Sequence, residues 1–125
     1  MKMTLLLPAL LLVATPAAAQ TQAQMNADAG RAWRAADAAM NRQWGATNAA
    51  MKRLDAADTS RGGGFGYAAA LLASQRAWLQ FRDRQCVIEG GEVAGGSMQP
   101  MVRAQCLARL TRERTVQLRN LQWKR

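Results

Sequence analysis

Few residues in this chain are equipped for chemistry. Two cysteines, Cys86 and Cys106, stand on either side of a glycine-containing break. There is no histidine, so the commonest general base and the commonest metal ligand are both absent. A structural zinc site needs about four ligands of the Cys/His type, and two cysteines do not supply them. A C-x-x-C spacing is missing, which removes the usual signature of a redox dithiol. The carboxylates are Asp28, Asp37, Asp55, Asp58, Asp83, Glu89, Glu92 and Glu113. Most have an arginine close by in sequence, so ion-paired or solvated surface roles are their default. A two-carboxylate hydrolase would need a cleft to hold its substrate. The helical pattern described below implies none, so the protein is expected not to be an enzyme and to need no metal or cofactor.

Two further stretches invite a chemical reading. Residues 58–66 (DTSRGGGFG) resemble a phosphate cradle only superficially. No Lys-Ser or Lys-Thr follows, and Tyr67 sits where a dinucleotide fingerprint requires its last glycine. Three consecutive glycines make this a flexible connection. The other stretch is Arg82-Asp83-Arg84, with Arg76 two turns earlier. Asp83 is either part of a recognition site or half of an ion pair that fixes helix packing, with Arg114 as a candidate partner. The second reading is the stronger, because a bidentate Asp–Arg pair sets register well.

The compartment follows from the start of the chain. Lys2 gives a positive beginning, residues 5–14 are apolar but too short to span a bilayer, and Ala17-Ala18-Ala19 supplies the small residues of a cleavage site. Residues 1–19 are read as a signal peptide cut before Gln20, and residues 20–125 as one small mature domain, periplasmic or secreted. No later run is long enough to cross a membrane. Two cysteines in an exported domain of this size read as one disulfide, worth roughly 3 kcal/mol in the chain-entropy model. Loss of Lys2 with the leader takes the formal charge from +9 to +8. That surplus favours anionic envelope partners such as lipopolysaccharide phosphates or acidic glycans. No nucleic-acid-binding motif is visible, and specific nucleic-acid recognition is not expected.

The elements that must position these residues are helices. Ala, Arg, Leu, Met and Gln dominate and β-branched residues are scarce. Residues 22–54 place Met25, Trp33, Met40, Trp44, Met51 and Leu54 at helical steps, with Gly45 a candidate break. Residues 67–89 form a second helix whose broad apolar face includes Leu71, Leu72, Trp78, Leu79 and Cys86. Residues 90–96 end it and turn the chain. Ser97 is placed to cap a third helix, with Pro100 in its first turn. That helix extends to about residue 123 and buries Met98, Met101, Val102, Cys106, Leu110, Leu118 and Leu121, with Leu107 and Val116 nearby. The expected fold is an all-α antiparallel bundle of three main helices, the last two tied by the disulfide. Cys106 lies about 14 Å beyond Ser97 at 1.5 Å per residue. To bring the cysteines within about 7 Å, the start of the third helix must overhang the end of the second.

One run is distinctive. Gln75-Arg76-x-Trp78-x-x-Phe81-Arg82-Asp83-x-x-Cys86 is followed by Gly95-Gly96-Ser97, Met101, Cys106-Leu107, Thr111-x-x-Arg114 and Leu118. This pattern resembles the N-terminal domain of the LprI-type lysozyme inhibitors. Met25-Asn26 and Asp37-x-x-Met40-Asn41-x-x-Trp44 are similar to the first helix of that family. The resemblance implies an exported helical domain, a Cys86–Cys106 disulfide, and non-covalent binding of lysozyme or another envelope protein. Many relatives carry a further cysteine soon after the Met-Asn pair, where this chain has Asp28. Its first helix is therefore held by packing alone. The turn at residues 90–96, flanked by Glu89 and carrying Glu92, is the expected contact for a basic partner.

Overall fold

The computed structural model describes residues 20–123 except Arg61 and Gly63. The proposed leader, Lys124 and Arg125 lie outside these residues. Three helices follow one another: α1, Gln22–Ala57; α2, Tyr67–Gly91; and α3, Gln99–Asn120. No strand occurs among the described residues.

α1 starts where Thr21 and Gln24 form a reciprocal capping box. Thr21 Oγ1 accepts from the Gln24 amide at 3.1 Å, and Gln24 Oε1 accepts from the Thr21 amide at 2.9 Å. The helix then runs unbroken through both Gly30 and Gly45 for 36 residues, about 54 Å at 1.5 Å per residue. Gly45 is exposed on its outer face, so its helical cost is borne locally and the helix does not break there.

Between α1 and α2 the chain folds around two aspartates. Asp58 accepts hydrogen bonds from the Ser60 amide and hydroxyl and from the Phe65 amide. Gly64 has φ +87°, and a Cβ there would meet the Asp58 carbonyl at 3.2 Å. Asp55, in the last turn of α1, caps the next helix. Its two carboxylate oxygens accept from the amides of Tyr67 at 2.6 Å and Ala68 at 2.9 Å, in place of a local cap, since Gly66 offers no side chain.

Several expected boundaries shift. α2 continues through Gly90 to Gly91 rather than stopping at Glu89. Gly90 is buried, and a Cβ there would sit 3.4 Å from Arg103 Cβ, so its bare backbone lets α2 and α3 approach. Ser97 does not cap α3. The cap position is Met98, with no side-chain cap bond; the Ser97 carbonyl instead accepts from Asn26 Nδ2 of α1 at 3.0 Å. α3 ends at Asn120, three residues early, and Met98 and Val116 are exposed rather than buried. Leu72 is also exposed.

The disulfide joins α2 to α3 with a Cα–Cα distance of 5.5 Å. Cys86 is five residues from the end of α2 and Cys106 seven from the start of α3. The overhang is therefore only about 3 Å. It is smaller than the sequence suggests because α2 gains a half-turn and α3 loses its beginning.

Two apolar clusters fill the bundle. Met40, Met51, Leu71 and Leu118 form one, with Trp44, Leu54, Tyr67 and Leu79 against it. Cys86, Cys106, Leu107 and Leu110 form the other, backed by Trp33. Trp78 packs on both. α1 and α3 make the most extensive helix pair, helped by the small buried side chains of Ala29, Ala36, Ala104 and Ala108. Thr47, fully buried on α1, donates from Oγ1 to the Leu118 carbonyl at 2.9 Å.

Candidate functional site

The residues of the sequence motif converge between the three helices. Arg82 is buried. Its Nε and one terminal nitrogen reach Asp83 Oδ1 at 2.9 Å, and its other terminal nitrogen donates to Asp37 Oδ1 of α1 at 3.1 Å and Thr111 Oγ1 of α3 at 3.3 Å. One guanidinium thus ties all three helices. Asp83 pairs with its neighbour Arg82 and not with Arg114. The ion pair that crosses between helices here is Arg82 with Asp37.

Arg114 is equally buried and differently supplied. It donates to Gln75 Oε1 at 3.0 Å, Gln117 Oε1 at 3.1 Å and Ser74 Oγ at 2.9 Å. No carboxylate lies within ion-pairing distance of it among the described residues. Burial pushes its guanidinium pKa down, and it remains a cation. Trp78 receives both charges, with Arg82 5.3 Å and Arg114 5.8 Å from its ring centre. Gln75 also directs its amide at Met40 Sδ, 3.6 Å away. Leu118 is fully buried in the adjoining core, whereas Arg76 and Phe81 face solvent.

At the other end of α2, Glu89 is engaged within the molecule. Both of its oxygens accept from one terminal nitrogen of Arg109, at 2.8 and 2.9 Å, and Gln85 donates to Oε1 at 3.2 Å. The Gln85 hydrogen bond, followed by the Arg109 contact, lowers the Glu89 pKa below its ordinary 4.5. The same pairing raises that of Arg109. Glu92 is exposed in the turn, and Val87, Ile88 and Met98 on its flanks in sequence are exposed as well.

A cleft of about 320 Å³ opens where α1 ends and α2 begins. Buried Met51 and Leu71 form its base, with Leu121 beside them. Its rim is aromatic: Phe65 stacks obliquely on Tyr67 at 4.7 Å, and Trp123 meets Tyr67 edge-on at 6.2 Å. Ala70 and Ser74 complete the wall. Spacing did not reveal this cleft, because Phe65 and Trp123 belong to no helix.

Among the described residues no group of three or more His, Cys, Asp or Glu side chains is placed to hold a metal ion. No helix there is long and apolar enough to cross a membrane. The class defined so far is a small all-α domain, stapled by one disulfide and keyed internally by two arginines around a tryptophan. The chain belongs to the family described as lysozyme inhibitor LprI, whose model matches residues 14–118. It is 41% identical over 107 residues to the uncharacterized protein R02472 of Rhizobium meliloti (strain 1021), a match covering 82% of this chain and 75% of that protein. No solved structure matches it.

Proposed function

We propose that the protein is an exported binding module that inhibits lysozyme by non-covalent occlusion. Membership of the LprI family over residues 14–118 carries this reading. The stapled bundle supports it, since a rigid scaffold loses little entropy on docking. The docking surface is the α2–α3 turn, where Glu92 offers a negative charge and Ile88 and Met98 offer exposed apolar area. Glu89 contributes by holding Arg109 and so fixing the base of that turn. Inhibition of several lysozyme types at micromolar protein is the test. Glu92→Lys together with Ile88→Asp is expected to weaken inhibition at least tenfold, and an absence of inhibition of every type tested removes the proposal.

A second reading rests on a specific observation. Arg103, Arg112 and Arg119 project from α3 into solvent with no carboxylate partner among the described residues. With the formal charge of +9 on the whole chain, they suit binding to anionic envelope polymers. Retention on lipopolysaccharide or an acidic glycan that falls steeply with salt supports it. Negligible, salt-insensitive retention counts against it.

A further inference from the structure

We propose that the cleft between the end of α1 and the start of α2 is a binding site for a long-chain carboxylate, with the acyl chain inside the aromatic rim and the head group at Ser74, which Arg114 backs. This site is separate from the α2–α3 turn and does not depend on the lysozyme reading.

Two observations meet here. The first is the cleft itself, apolar at its base, aromatic at its rim, and of a size used for small ligands. Its rim is held in place: Asp55 fixes the start of α2 through the Tyr67 and Ala68 amides, and Asp58 fixes Phe65 through its own. Such preorganisation is what a binding cleft requires and what a mere gap in packing lacks.

The second is Arg114. A buried guanidinium is ordinarily matched by a carboxylate, as Arg82 is by Asp37 and Asp83. Arg114 has only neutral acceptors. Of its five N–H donors, three are engaged by Gln75, Gln117 and Ser74. Ser74 also lines the cleft. Its hydroxyl accepts from Arg114 and keeps its own proton to donate. A carboxylate at the Ser74 wall would accept that proton and supply the missing negative charge. A single compact anion on an apolar chain fits both features. A neutral apolar ligand would leave the charge of Arg114 unanswered.

The test compares straight-chain alkanoates with alcohols of the same length, titrated below their micellar concentrations into the purified protein. Calorimetry and tryptophan fluorescence serve as readouts. Saturable one-to-one binding is expected, tightening about three- to fourfold per methylene until the cleft is full. The carboxylate should bind at least tenfold more tightly than its alcohol. Arg114→Met should abolish that preference while leaving alcohol binding in place, with folding checked by circular dichroism. Ala70→Trp, at an exposed position on the wall, should abolish both. Equal affinity for carboxylate and alcohol in the unmodified protein overturns the proposal without recourse to any variant. So does a lack of saturable binding. Self-association abolished by Ala70→Trp would assign the cleft to a second copy of the chain and likewise overturn it.

Discussion

Arg82 and Arg114 both lie against the ring of Trp78, yet they play opposite parts in stability. Arg82 is neutralised by two aspartates and bonded to a buried threonine hydroxyl. Replacing it with Met should destabilise the fold by about 2 kcal/mol, the usual worth of hydrogen bonds to a charged group. Arg114 has no counter-charge, so its burial is costly to begin with. Arg114→Met should remain within about 1 kcal/mol of the parent. Urea denaturation midpoints of the two variants measure the contrast. A clear destabilisation by Arg114→Met exceeding that of Arg82→Met would show that the neutral hydrogen bonds outweigh desolvation. The sequence shows both arginines and the Trp between them. It does not show that Asp83 turns back to its own neighbour, because the choice between Arg82 and Arg114 as its partner depends on how the helices rotate about one another.

Among the elements, α1 reads most directly from its spacing. Of its large apolar steps, Met40 and Met51 are buried, while Met25, Trp33, Trp44 and Leu54 are half-buried. Its continuity through Gly45 is less legible, since local propensity argues for a break and only packing on α3 overrides it. Gly45 is exposed with nothing within 4 Å of an added Cβ. Gly45→Ala should therefore stabilise by up to about 1 kcal/mol, raising the thermal midpoint. The capping role of Asp55 is not legible in the sequence, because it lies twelve residues before the amide it serves. Helix-capping patterns are local, three or four residues long, and a cap borrowed from the preceding helix leaves no such pattern. Asp55→Ala should cost about 1 to 2 kcal/mol and raise hydrogen exchange at Tyr67 and Ala68 first. The same missing locality hid the true start of α3, where Ser97 looks like a cap but its carbonyl is held by Asn26.

For the molecule as a whole, the disulfide and the Glu89–Arg109 bridge are two of the ties across the α2–α3 pair. The disulfide was legible from cysteine count and compartment, while the Glu89–Arg109 bridge beside it was not. Removing the disulfide with paired alanines at Cys86 and Cys106 should lower stability by roughly 3 kcal/mol, read as a drop in urea midpoint. The bridge responds to pH. Glu89 has a depressed pKa in the folded protein, so its stabilisation is present above the ordinary glutamate value of 4.5 and disappears as pH falls through the folded value. Glu89→Gln should therefore melt below the parent at pH 7, and the gap should close as pH falls through the folded value. A gap that persists unchanged at low pH would mean the side chain acts through packing instead of charge.

The staple joins only α2 and α3, and α1 reaches them through the 58–66 connector. A single proteolytic nick in that connector would leave two peptides with no bond between them. They would stay together only while the non-covalent contacts of α1 with α2 and α3 survive, the buried Met40 and Thr47 and the Asp37–Arg82 pair among them. In denaturant the α2–α3 piece would come away as one covalent hairpin, and α1 would depart alone.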